Sequence, residues 1–332
     1  MKLKLNIQRI TIIVVVLFIV AGVLIVALDW HEMRLVIGHA NWLLLLPSLL
    51  LTASSYACLS YGLVVVFRTF GIRLGMRDLM EIGFVSNVVT YLMNVGGVTG
   101  VSFQFVLLKR HGLATEDILA PSLFQLYFSS LLLIALLPVG LFHIVANHSL
   151  SRGSSLGVAI AAGIVTLLLI IAGVIVFSAS ARAFIFRGVS RTGHFLTRRN
   201  IEPALSDFDM AMTRGIAIIR QRPQILVVLL LLAIADWTST VAALWFCFDA
   251  LGNPVGLGTL LTGFSLGIIA GFISMVPGGL GVQEGSMAGI YTLLGVPIRT
   301  AALAAILFRI VYYFLPFLVS LAFYRHLLQE KG

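Results

Sequence analysis

Long apolar runs decide most of what this chain can become. Six of them, at residues 10–28, 42–67, 118–145, 156–177, 225–248 and 301–324, are of the ~20-residue length that carries a helix across a bilayer. In lipid every backbone amide needs a partner within the protein, and a helix supplies that partner along its whole length. The chain is 60% hydrophobic and 11% charged, against roughly 25% charged in soluble domains. Two further regions, 82–108 and 260–296, are equally apolar but are broken in the middle by glycine clusters.

The first ten residues, MKLKLNIQRI, lead into an apolar run with no small-x-small cleavage site before Asp29. The run therefore reads as an uncleaved first helix rather than a signal peptide. Cys58 and Cys247 both sit inside apolar runs, which does not indicate a disulfide framework. The net charge of +9 follows from membrane topology, so nucleic acid is not an expected partner.

Cytoplasmic loops carry the excess of Lys and Arg. Lys2, Lys4 and Arg9 place the N-terminus inside, and Arg68, Arg73 and Arg77 mark the next inside loop. If 82–108 and 260–296 each enter and return as re-entrant hairpins, 18 of the 22 Lys and Arg residues fall on the cytoplasmic side. The expected fold is an all-α polytopic membrane protein with six transmembrane helices, two re-entrant helical hairpins and both termini cytoplasmic. The whole chain, 1–332, forms one integral membrane domain.

The two broken regions resemble each other. NVGGVTG (94–100) and VPGGLG (276–281) each hold a Gly-Gly pair, Gly96–Gly97 and Gly278–Gly279, with another glycine shortly after. Farther on, GLATEDILAPSLF (112–124) parallels GVPIRTAALAAIL (295–307). The unit of span, hairpin and span thus occurs twice, at 42–145 and 225–325. The charge pattern sends the first hairpin in from the cytoplasm and the second from outside. Inverted repeats of this kind place substrate near the bilayer midplane, where broken helices meet.

Within the second hairpin, Gly263, Gly267 and Gly271 recur every four residues, as do Gly281, Gly285 and Gly289. Two such flat ridges suit a tight antiparallel pair, joined where Pro277 stops the first arm. These glycines serve either packing or substrate contact. Glu284, Asp236 and Arg309 are charges within apolar segments. An intramembrane ionisable group is costly unless paired, wet or protonated, so the three point to one polar centre. Glu284 and Arg309 either hold an anionic headgroup or form a structural ion pair. In the first hairpin Ser86, Thr90 and Asn94 fall at successive helical turns beside Asn87, with Gln104 on the return arm. They either line the same cavity or bond neighbouring helices.

The loop 178–224 is basic, and ALSDFDMAMTRGIAIIR within it alternates apolar and charged positions. It reads either as an amphipathic segment on the cytoplasmic leaflet or as a solvated linker. In the first case Arg198, Arg199, Arg220 and Arg222 contact anionic lipid, each worth about 1 kcal/mol. The sequence shows no nucleotide-binding G-x-x-x-x-G-K-[ST] loop and no H-E-x-x-H metal helix. No cofactor, metal or catalytic residue is expected.

PGGLGVQEG followed by LLGVPIRTAALAAILFRIVYYFLP resembles the signature of the flippase-like membrane domain of lysylphosphatidylglycerol synthases. The resemblance extends over roughly 10–325. Pro277, Gly278, Gly279, Gly281, Glu284 and Arg309 match its second-half motif. Asn87, Gly97 and Lys109–Arg110 match its first half, where NVGGVTGVS stands in place of a proline and a Gly-Glu pair. The resemblance implies a multi-pass protein of the bacterial inner membrane that moves a phospholipid or lipid-linked headgroup. The sequence carries no soluble aminoacyl-transferase domain like that of the bifunctional members. The rival expectation is a lipid-presenting partner of a separate transferase.

Overall fold

A computed structural model of the chain describes residues 36–93, 98–147, 152–184, 202–274 and 276–329. The expected span 10–28 lies outside these, as do Asn94, Gly96, Gly97, Arg198 and Arg199. Among the described residues every regular element is a helix.

A 3-10 turn at Trp42–Leu44 opens α1 (Leu45–Thr69), followed by α2 (Met76–Leu92), α3 (Val98–Arg110), α4 (Thr115–Asn147) and α5 (Arg152–Phe177). The remaining helices are α6 (Glu202–Gln221), α7 (Pro223–Ala250), α8 (Leu257–Ile273), α9 (Val282–Leu293), α10 (Ile298–Arg309) and α11 (Leu315–Gln329). A π-helical turn, Ile310–Phe314, joins the last two. The second glycine cluster breaks the helices where the sequence places the break, between α8 and α9. Gly112 after α3 and Gly295 after α9 both take positive φ, 78° and 91°, the left-handed conformation that ends a helix and favours glycine. The two residues are counterparts in the sequence repeat.

Among the described residues three helices are long and apolar enough to cross a membrane: Trp42–Thr69, Pro223–Ala250 and Ile298–Leu327. Helices α1 and α7 run antiparallel. Ser48 donates to the Ala243 carbonyl at 2.8 Å, Ser55 bonds Asp236 farther along, and the Asn41 amide donates to the Ala250 carbonyl at 2.7 Å. Two apolar clusters fill the bundle. One gathers the end of α1 (Phe67, Phe70), the start of α2 (Leu79, Ile82), the end of α3 (Leu107, Leu108), part of α6 (Met212, Ile216, Ile219) and Leu327 of α11. The other joins α7, α8, α9 and α10 around Phe248, Phe264, Tyr291 and Phe308, with Val88 and Leu92 from α2.

The first cluster holds both the start of α2 and the end of α3, so this helix pair enters and leaves at the same end of the bundle. The α8–α9 pair does likewise at the opposite end, where Tyr291 donates to the Leu260 carbonyl at 2.8 Å. The turn between α8 and α9 meets the end of α2. A Cβ at Gly278 would lie 2.5 Å from the Leu92 carbonyl oxygen.

One sequence expectation needs correction. Only one glycine ridge lies in the α8–α9 interface: Gly263, Gly267 and Gly271 face Tyr291, Met287 and Gln283 respectively, while Gly281, Gly285 and Gly289 have open space at their Cβ positions. Large side chains fill the groove that small ones open, so a single flat face suffices. Part of the apolar face of α6 packs into the protein. Met212, Ile216 and Ile219 are buried in the protein core, and a Cβ at Gly215 would meet the Phe124 ring of α4 at 2.5 Å. Arg220 and Arg222 remain exposed.

Candidate functional site

The tip of the α8–α9 pair is held by one buried arginine. Pro277, itself exposed, opens a 3-10 turn through Gly278 and Gly279. Gly278 adopts φ 64° and abuts the backbone of α2, so a side chain there meets both strain and a carbonyl. The turn aims the Gly278 carbonyl at Arg309, whose Nη1 donates to it at 2.7 Å. Arg309 Nε and Nη2 engage Glu284 Oε1, and Nη2 also reaches Gln283 Oε1 at 3.4 Å. The guanidinium carbon lies 4.3 Å from the Tyr313 ring centroid, a cation–π distance. The second oxygen of Glu284 accepts the Gly281 amide at 2.8 Å, capping the start of α9. Gln283 donates in turn to the Tyr313 hydroxyl at 3.0 Å.

All three guanidinium nitrogens and both carboxylate oxygens are therefore occupied by protein. The arrangement works as a clasp: Glu284 fixes the start of α9, Arg309 fixes the end of α10, and the Gly278 carbonyl ties both to the tip. A buried charge pair of this kind needs such extra hydrogen bonds to offset desolvation.

Asp236 is elsewhere. The sequence reading that grouped it with Glu284 and Arg309 in one centre is corrected: Asp236 belongs to a hydroxyl cluster between α1, α7 and the π turn. Thr240 Oγ1 lies 3.0 Å from the Tyr312 hydroxyl, which is 2.7 Å from Ser55 Oγ, and Ser55 donates to Asp236 Oδ1. Tyr56 donates to the Tyr312 carbonyl at 3.0 Å. Asp236 is 3% exposed and its polar partners here are hydroxyls, with no cation among them. The two groups are separated by aromatic rings: Tyr91 packs edge-on against both Tyr312 and Tyr313, and these adjacent tyrosines face the two clusters. The π turn allows this, since its wider step displaces successive side chains relative to an α-helix.

The first-hairpin residues divide. Gln104 donates to Ser122 of α4 at 3.0 Å, an interhelical bond. Thr90 donates to its own helix at Ser86, and the α2 surface around it receives Gly100 of α3. Among the described residues Ser86 Oγ and Asn87 Nδ2 are buried without a hydrogen-bond partner. Sequence reasoning missed Ser55, Thr240, Tyr312, Tyr313 and Gln283. Polar residues within apolar runs (Ser55, Thr240) and the adjacent tyrosines after Arg309 were the available signal.

Residues 12–320 match the model of the lysylphosphatidylglycerol synthase TM region. The chain belongs to this family. It is 28% identical over 91 residues to a phosphatidylglycerol lysyltransferase of Staphylococcus aureus (strain COL), covering 27% of this chain and 11% of that protein. It is 32% identical over 84 residues to a UPF0104 membrane protein of Methanothermobacter thermautotrophicus, a quarter of each chain. The chain thus aligns with about a tenth of the lysyltransferase and a quarter of the other relative. Family membership makes it a membrane protein of a group related to phospholipid modification.

Proposed function

We propose that the protein translocates the polar headgroup of a phospholipid or lipid-linked molecule across the cytoplasmic membrane by alternating access. Six crossings, cytoplasmic termini and an inverted repeat are part of this reading. What carries it is the Arg309 clasp at the point where two helix pairs from opposite ends of the bundle touch. A contact of that kind closes a path, and opening it frees a guanidinium for an anionic headgroup. Glu284 then acts as the intramolecular substitute that holds Arg309 when no headgroup is present. Asp236, with hydroxyl partners alone, is the group suited to carry a coupling proton. Acyl or isoprenoid tails stay in the surrounding lipid, and rocking of one repeat against the other switches access. No catalytic step is assigned to the chain.

The test is reconstitution in vesicles with headgroup-labelled lipids, scored by an impermeant reagent. Faster exposure of at least one label with the protein than without it supports the reading, as does its loss in Arg309→Ala with partial retention in Arg309→Lys. Undiminished translocation in both Glu284→Gln and Arg309→Ala overturns the role of the clasp. The match to a phosphatidylglycerol lysyltransferase supports a second reading, presentation of lipid to a separate transferase. A copurifying transferase and no translocation by the purified chain favour it.

A further inference from the structure

We infer that the arginine-rich end of the bundle holds a second, separate binding site, for a phosphate-bearing anion of the kind found in an anionic phospholipid headgroup. A cavity of about 820 Å³ opens there between the α1–α2 connection and the α6–α7 junction, within the roughly 300–1,000 Å³ typical of small-ligand pockets. Its lining brings together Arg68, Arg73 and Arg222, from segments about 150 residues apart in the chain. Among the described residues no carboxylate lines it.

The neighbouring charges make the three arginines distinctive. Arg214 is committed to the fold, donating to the Phe70 carbonyl at 3.3 Å and lying over the Phe70 ring. Arg77 is bonded to Glu81 at 2.9 Å, and Glu81 also engages His326 at 2.8 Å. The nearby acid is therefore already satisfied. Asp78 lies over Gly75 at the start of α2. Among the described residues the side chains of Arg68, Arg73 and Arg222 form no ion pair or hydrogen bond. Three like charges around one cavity repel each other, and a fold gains by neutralising them with an anion. Arginine is suited to this, because its planar fork meets phosphate oxygens in pairs.

The remaining lining favours a lipid. Ile72, Leu74 and Ile218 lie beside the arginines, offering apolar surface to a glycerol backbone or the first carbons of an acyl chain. The cavity lies at one end of the bundle, where helices end and charged loops begin, the level of headgroups. Polybasic clusters at that level attract anionic lipid. The site shares no residue with the Arg309 clasp and stands whether or not the protein translocates lipid.

The experiment uses the full-length purified protein in detergent, with thermal unfolding followed during titration. The probes are dihexanoyl phosphatidylglycerol, dihexanoyl phosphatidylcholine and inorganic phosphate. The titration is repeated on Arg68→Gln/Arg73→Gln/Arg222→Gln and on Arg325→Gln, an exposed arginine outside the lining. Phosphatidylglycerol is expected to raise the melting temperature of wild type and of Arg325→Gln. In the triple variant its half-saturating concentration rises by about tenfold or more, as loss of charge-assisted hydrogen bonds requires. The triple variant alone should melt near wild type, since none of the three side chains has an internal partner. A shift with phosphatidylglycerol only assigns the site to lipid, and an equal shift with inorganic phosphate assigns it to a free anion. An unchanged response in the triple variant, or no response to any anionic probe, overturns the site. If the triple variant does not fold, Arg73→Gln and Arg222→Gln are titrated singly, with a weakened response in each expected and an unchanged one in both contradicting the proposal.

Discussion

Arg309, at the end of α10, donates to the carbonyl oxygen of Gly278 at 2.7 Å, 31 residues earlier, while the same guanidinium holds Glu284. One side chain thus fastens the break in the α8–α9 pair to the helix that follows it. Removing Arg309 strands a buried carboxylate and a carbonyl together. Arg309→Ala is expected to destabilise the protein by about 3–5 kcal/mol, read as thermal unfolding in detergent. Glu284→Ala/Arg309→Ala should cost less than the sum of the two single changes, because neither charge is then left alone. Additive losses would mean the two residues act independently.

The glycines of the second pair should respond unequally to alanine. Gly278→Ala places a Cβ 2.5 Å from the Leu92 carbonyl in a left-handed conformation, and Gly263→Ala places one 2.3 Å from the Tyr291 ring. Each should lower stability by about 1–3 kcal/mol. Gly285→Ala and Gly289→Ala meet nothing within 4 Å and lie in helix, where alanine is favoured by up to about 1 kcal/mol. Melting temperatures of the four variants decide the matter. A drop for Gly285→Ala equal to that for Gly263→Ala would place a second ridge in contact after all.

Asp236 and Ser55 separate a structural from a coupling role. Asp236→Asn keeps an acceptor for the Ser55 hydroxyl, so the fold should persist with a melting temperature close to that of wild type. Translocation by this variant should lose its response to an imposed proton gradient, measured in the same vesicles with and without an ionophore. A retained response removes Asp236 from coupling.

The two ends of the bundle give a topology test. Cysteines introduced at Arg73, Arg110 and Arg222 should be labelled by an impermeant reagent from one membrane face. Those at Gly252 and Leu293 should be labelled from the other. Cys247 is buried and serves as the unreactive internal control. Labelling of Arg73→Cys and Arg110→Cys from opposite faces would show that α2 and α3 cross rather than return.

The sequence by itself determined the helices and the places where they stop. Apolar runs near bilayer length leave the backbone no alternative to helix, and Gly112, Gly295 and the Pro277-Gly278-Gly279 turn interrupt them through local steric rules that need no partner. It also singled out Glu284 and Arg309, because charges in such runs stand out against their surroundings. Which charges meet was a tertiary decision. Asp236 lies 48 positions before Glu284, yet it pairs with Ser55 on α1 and not with Arg309, because the antiparallel packing of α1 on α7 places that hydroxyl beside it. The use of one glycine ridge, the packing of α6 onto α4 and the π turn that sends Tyr312 and Tyr313 to different clusters were likewise settled by side-chain volumes meeting across helices. Periodicity along one segment carries no record of the size of the residues that will face it.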